Sequence, residues 1–260
     1  MFDLLQSLID LSSSYLLAGV LIFVRVGAVV GLMPAIGETF LPARLRIGVA
    51  LALATILVPL VDRSGLPSAL APMGFVSLLA AEAVIGVAIG LATRLMVHAL
   101  QLAGSIAAQS TALAQIAGAG VTPDPMPAMG NALLIAGLTL AMILGLHVKI
   151  IVAVLASYAE LGFGFFLTGT DIASWGLDQA TAAFALGFSL AAPFLLAALL
   201  YNVALGAINR AMPQLMVAFV GAPAITAGTL FLFLLSAPLI IGTWHDRLDD
   251  VLLAPLDFRK

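Results

Sequence analysis

The chain has no cysteine among its 260 residues. That excludes disulfides, iron–sulfur clusters and thiolate metal sites, and leaves the redox compartment open. Charge is scarce as well. Asp, Glu, Lys and Arg together make up 9% of the residues, against about a quarter in an ordinary soluble domain. A surface with so few charges suits lipid or other apolar protein. The net charge is −3, so no basic surface points to nucleic acid. The histidines, His98, His147 and His245, are scattered, with no second ligand at metal-binding spacing. No serine has a His and Asp partner pattern, and no glycine-rich phosphate loop follows a strand. Catalytic, cofactor and metal sites are therefore not expected, and neither is an enzyme.

What the sequence has in quantity is hydrophobic residues, 63% of the chain. They fall into six apolar blocks: Tyr15 to Met33, Ile47 to Val61, Met73 to Leu100, Asn131 to Ser157, Ala180 to Ala207 and Gln214 to Trp244. A helix of roughly 20 apolar residues spans a bilayer, so most blocks are long enough and the second barely is. Pro34 closes the first block, Pro193 interrupts the fifth, and Pro223 and Pro238 lie inside the sixth. The expected fold class is an all-α membrane protein of about six long, proline-broken helices. Before the first block, residues 2–12 place Leu4, Leu5, Leu8 and Leu11 on one helical face, as expected of an interfacial start. This N-terminus carries acids where a signal peptide carries bases, so cleavage is not expected and the first helix itself should direct insertion.

The charges inside these blocks are costly. Arg25, Glu82, Arg94 and Lys149 all lie within apolar runs, and each costs at least roughly 2.5–3.5 kcal/mol if it faces lipid at mid-bilayer. Either they pair inside a protein assembly or the blocks do not all span a bilayer. Glu82 and Arg94 are twelve apart on one helix, which sets them about 120° apart around its axis. They cannot form one simple pair. Glu82 reads either as part of a proton relay or as a structural charge paired with Arg25 or Lys149. The second is favoured, because no other membrane acid stands ready to pass a proton on. Loop charges do not decide orientation. A six-span reading puts Arg63, Arg247, Arg259 and Lys260 on one side and Arg44, Arg46 and Arg210 on the other, too even a split for the positive-inside rule. Gly27 with Gly31, and Gly86 with Gly90, have the GxxxG spacing that lets helices approach closely.

Between the third and fourth blocks lies a stretch of different character, Ser105 to Gly130, whose one charge is Asp124. It carries Gln109, Gln115, a GAG triplet at 118–120, and Pro123, Pro125 and Pro127. It is too polar and too broken for a lipid-facing helix, and too uncharged for a solvated loop. Met33, Met126 and Met129 fit either a soft seal or ordinary apolar filling. Further on, Asn209, Arg210, Pro213 and Gln214 make a polar corner between two apolar blocks. It reads as a structural corner or as a docking contact.

The run LGAINRAMPQLMVAFVGAP at 205–223 resembles the signature of the FliR family of flagellar and type III export-gate membrane proteins. The family pattern of Asn-Arg, Pro-Gln-Leu and Gly-x-Pro falls here on Asn209, Arg210, Pro213, Gln214, Leu215, Gly221 and Pro223. In family order, Arg25 and Pro34, LPARLRIGVAL at 41–51, AEAVIGVAIG at 81–90, Ala103 with Gly104, and GLH at 145–147 look like the other family motifs. The Gly221-Ala-Pro223 element looks flagellar more than virulence-type. The resemblance implies a single membrane domain over 1–260, with halves at 1–104 and 131–260 around a central plug segment at 105–130, its helices in bent hairpins and assembling helically with partner subunits. It implies assembly with FliP and FliQ into a pore for unfolded flagellar substrates, beside FlhA- and FlhB-like proteins, in the bacterial inner membrane within the flagellar basal body. It implies a pore plug from Gln109, Ser110, Thr111, Gln115, Ile116, Gly118, Gly120 and Val121, and structural or partner contacts at Arg25, Glu82, Gly86, Gly90, Asn209, Arg210, Pro213 and Gln214. No cofactor is implied. The alternatives are a virulence-system homologue and an ion-coupled small-solute transporter using Glu82, Arg94 and Lys149. No internal repeat supports the transporter.

Overall fold

A computed structural model describes residues 2–37, 41–63, 65–66, 72–109, 128–212 and 217–256. Seven helices and no strand occur among them: α1 Phe2–Leu32, α2 Ala43–Leu57, α3 Pro72–Gln109, α4 Ala128–Ile143, α5 Leu146–Glu160, α6 Gly169–Ala211 and α7 Val217–Leu253. Four contain segments long and apolar enough to cross a membrane: Ser12–Leu32, Met73–Gln109, Gly169–Ile208 and Ala227–Leu253. The pair α4 and α5 makes a fifth if the two count as one broken span. The second apolar block supplies α2, whose 15 residues are too few. The membrane character read from composition therefore holds, with fewer spans than blocks.

Local chemistry sets the helix ends. Pro34 closes α1, and Ala35 turns the chain at φ +70°. Gly37 donates its N–H to the Met33 carbonyl at 2.7 Å. A Cβ at Gly37 would lie 2.6 Å from the Gly31 carbonyl oxygen, so the chain folds back there because glycine lacks one. Gly145, at φ +82°, separates α4 from α5. The fourth block thus breaks without a proline, at a residue that tolerates the left-handed region. α6 begins with a reciprocal cap. The Thr168 N–H donates to the Asp171 carboxylate at 3.2 Å, and the Asp171 N–H donates back to the Thr168 hydroxyl oxygen at 3.2 Å. This is a capping box, and it fixes where α6 starts. α6 runs through Pro193, and α7 through Pro223 and Pro238. At the other end of the chain, residues 2–12 continue directly into the first span as one helix.

The chain forms two compact units. One comprises Met1–Arg94, Leu144–Gln179 and Asp249–Lys260; the other comprises Leu95–Ile143 and Ala180–Leu248. In the first, α1 buries Leu21, Ile22, Val26 and Met33, α3 buries Ile85 and Ile89, and α5 buries Ile150 and Val154. The Trp175 indole donates to the Pro255 carbonyl at 3.1 Å and ties the chain end into this unit. In the second, Trp244 of α7 is fully buried and donates to the Met96 carbonyl of α3 at 2.7 Å. A Cβ at Gly137 of α4 would meet Leu100 at 2.5 Å and the Trp244 ring at 3.3 Å. One indole therefore joins three helices.

Candidate functional site

The first unit is organised around an ion pair. Arg25 of α1 and Glu82 of α3 are both fully buried, and the Arg25 Nε donates to Glu82 Oε2 at 2.7 Å. The C-terminal end of α5 completes the cluster. Arg25 Nη1 donates to the Ser157 hydroxyl at 3.0 Å, and Nη2 to the Leu161 carbonyl at 3.2 Å. The Tyr158 hydroxyl donates to Glu82 Oε2 at 3.0 Å, and the Gly164 N–H to Oε1 at 3.1 Å. The Arg25 guanidinium also lies 3.6 Å from the centre of the Tyr158 ring, a cation–π contact. A cation at a helix C-terminus is favoured by the helix dipole.

Every nitrogen of the guanidinium and both oxygens of the carboxylate have partners. That is the condition under which a buried ion pair is tolerated, since each desolvated ion costs several kcal/mol until it is compensated. Of the two cations open to Glu82, Arg25 is the one it meets. Lys149 instead contacts Asp249 of α7 at 2.6 Å, with both side chains about one-third exposed. A carboxylate held by three donors is built to fix helices in place. Chemically, the cluster is a clamp on α1, α3 and the α5–α6 link.

Glycine brings the clamp together. Gly86 follows Glu82 by one helical turn, and a Cβ there would collide with the Arg25 carbonyl oxygen. Gly90, a turn further, would place one 2.7 Å from Leu32 Cβ. Glu82, Gly86 and Gly90 thus form one face of α3 laid against the backbone of α1. At Gly27 and Gly31, which have the same spacing, an added Cβ would meet nothing within 4 Å. Gly164 supplies its N–H at φ +71°. A Cβ on it would collide with Leu78, so that position is closed to other residues twice over.

A second feature flanks the central stretch. α3 ends at Gln109, which is exposed, and α4 begins at Ala128. Within the second unit, a Cβ on Gly104 would collide with the Gly130 Cα and lie 2.8 Å from its nitrogen. The two helices that enter and leave residues 110–127 therefore touch backbone to backbone. Ser110, Thr111, Gln115, Ile116, Gly118, Gly120 and Val121 lie outside the described residues, as do Pro213 and Gln214. Asn209 and Arg210 fall in the last turn of α6, where Arg210 is exposed.

Comparison with known proteins gives this geometry a family. The profile of bacterial export proteins, family 1, matches residues 16–251. The chain is 35% identical to the flagellar biosynthetic protein FliR of Caulobacter vibrioides over 235 residues, 89% of this chain and 93% of that protein. It is 28% identical to the Bacillus subtilis protein of that name, covering 84% of each. For the Aquifex aeolicus protein the figure is 31%, covering 65% of this chain and 66% of that one. This chain belongs to the FliR family of bacterial export proteins.

In this FliR-family chain, sequence reasoning brought Arg25 and Glu82 to notice but missed Ser157, Tyr158, Leu161 and Gly164. Leu161 acts through its backbone carbonyl, which no sequence pattern marks. Gly164 did leave a signal: a glycine inside GFGFF, just past a helix end, marks a required positive φ. The Thr168-x-x-Asp171 box was legible too. His98 faces Gln101 at 2.7 Å, His147 is exposed and His245 is buried. No cluster of three or more metal-ligating side chains occurs among the described residues.

Proposed function

We propose that this chain is a non-enzymatic subunit of the flagellar type III protein export gate. It assembles with FliP and FliQ around a pore for unfolded flagellar substrates, next to FlhA- and FlhB-like proteins, in the inner membrane at the basal body. The observation that carries the reading is kinship over nearly the whole length with a protein named flagellar biosynthetic protein FliR. The apolar helices suit the location. The transporter alternative loses support, because both oxygens of Glu82 are already occupied.

Residues 105–130 contribute the plug in this reading. Within them, residues 105–122 are mostly small and carry no charge, a composition that allows a loop to yield to polypeptide without binding it. The contact of Gly104 with Gly130 supports the idea, because it anchors the roots of a loop that has to move at its tip. Irregular backbone at membrane depth is tolerated where it lines a wet protein cavity.

The test is expression of the chain with FliP and FliQ in a strain lacking its own FliR. The chain should restore export and co-purify with both partners. Deletion of residues 110–120 should make the membrane leaky to small solutes. Purification of the chain alone as a stable, working protein would end the gate reading. An unchanged leak in an assembled deletion variant would end the plug reading and leave the gate standing.

A further inference from the structure

A surface groove of about 280 Å³ runs between α1 and α2 in the first unit. α1 lines it with Tyr15, Leu16, Gly19, Val20 and Phe23, and α2 mainly with Leu51 and Ala54. Its walls are almost wholly apolar. The volume sits just below the roughly 300–1,000 Å³ of ordinary small-molecule sites, which suits a stretch of hydrocarbon chain better than a polar metabolite. Gly19 shapes the floor. A Cβ there would sit in ordinary contact with Val58, at 3.7 Å, and a larger side chain would fill the groove.

A cation adjoins the groove through Tyr15. The Arg63 guanidinium stacks 3.6 Å from the centre of the Tyr15 ring. Its Nη1 is buried and has no hydrogen-bond partner among the described residues. A buried N–H of a cation left unpaired costs more than an ordinary lost hydrogen bond, so this nitrogen calls for an acceptor, and an anionic one fits best. Depth agrees. The apolar block of α1 begins at Tyr15, directly after Asp10 and the serines 12–14, so Tyr15 stands at its polar edge, at the level where aromatic rings and snorkelling arginines meet the headgroups. An apolar slot with a cation at headgroup depth matches a phospholipid end to end. The acid beside it, Asp62, is exposed.

We propose that the α1–α2 groove holds one acyl chain of an anionic phospholipid, with its phosphate on Arg63 beside Tyr15. This goes beyond the export reading and depends only on the chain being in a membrane.

The test uses the full chain, with any subunits that co-purify, in vesicles of equal phosphatidylglycerol and phosphatidylcholine. Trace phosphatidylglycerol with a photoactivatable acyl tail is crosslinked, and the labelled peptides are mapped. A parallel run uses the phosphatidylcholine probe. Label should concentrate on residues 15–23 and 51–58. Arg63→Gln should lower phosphatidylglycerol labelling there about fivefold and leave phosphatidylcholine labelling unchanged. Gly19→Leu should remove both, while label on the exposed Leu196 and Leu200 of α6 stays constant as a check on folding. Three results overturn the proposal: groove label no stronger than that on α6, no effect of Arg63→Gln, or a groove closed to lipid and crosslinked instead to another subunit.

Discussion

Removing the Arg25 side chain tests whether the buried cluster is the clamp of the first unit. In Arg25→Met the apolar stem is largely kept and the charge is lost. Glu82 then keeps Tyr158 and Gly164 as donors but has no cation, and it is fully buried. The Ser157 hydroxyl still donates to the Val154 carbonyl, so its loss is smaller. The Leu161 carbonyl loses the Arg25 donor. Breaking a buried pair from one side costs about 3–5 kcal/mol, a large share of a total stability of about 5–15 kcal/mol. At about 2–4 °C per kcal/mol for a chain of this size, the midpoint of thermal unfolding in detergent should fall by roughly 6–20 °C. Trp175 reports on the same unit, so its fluorescence can follow the transition. The double variant Arg25→Met with Glu82→Leu removes both charges. It should recover much of the loss, because two matched apolar side chains carry no desolvation penalty. A single variant that melts with the wild type, or a double variant as unstable as the sum of the two singles, would refute the clamp.

The two GxxxG pairs should behave in opposite ways. Gly86→Ala pushes α1 away at Arg25 and should cost about 1–3 kcal/mol. Gly27→Ala meets nothing within 4 Å and should be neutral, or stabilising by about 0.5–1 kcal/mol through helix propensity; melting the two side by side checks this. The Lys149–Asp249 pair is partly exposed, so Lys149→Met should cost no more than about 1 kcal/mol. That difference should shrink further in melts at high salt.

Much of the architecture was legible because hydropathy and proline report directly on the solvent a helix meets. Composition alone gave a membrane protein of long helices. What misled was the equation of an apolar block with a span. α2 is apolar but 15 residues long, and length decides whether a helix can cross. Proline misled in the other direction. Pro193 sits inside a continuous α6, whereas the real break in the fourth block is at Gly145, whose φ of +82° no hydropathy scan detects. The site divided in the same way. Arg25 and Glu82 were conspicuous because a charge in an apolar run is expensive. Their partners Tyr158 and Ser157 were not, because a hydroxyl in such a run is common. The Leu161 carbonyl is available only because α5 ends there.

The buried charges first looked like an argument for an assembly, since an unpaired charge in lipid needs a protein neighbour. The geometry moves that argument elsewhere. Arg25, Glu82 and Lys149 find their partners inside one unit of this chain, so none of them requires another subunit. The need for neighbours shifts to α6 and α7. On α6, Phe184, Phe188, Leu195, Leu196, Leu199, Leu200 and Val203 are all exposed, and at about 100° per residue they cover an arc of about 160°. On α7, Leu230, Phe231, Leu234, Leu235 and Leu239 are exposed and cover about 180°. A helix that packs one core shows an apolar stripe somewhat wider than about 100°, and that stripe is normally the buried one. Here arcs of greater width are left over after the chain's own packing. Lipid or other protein must cover them.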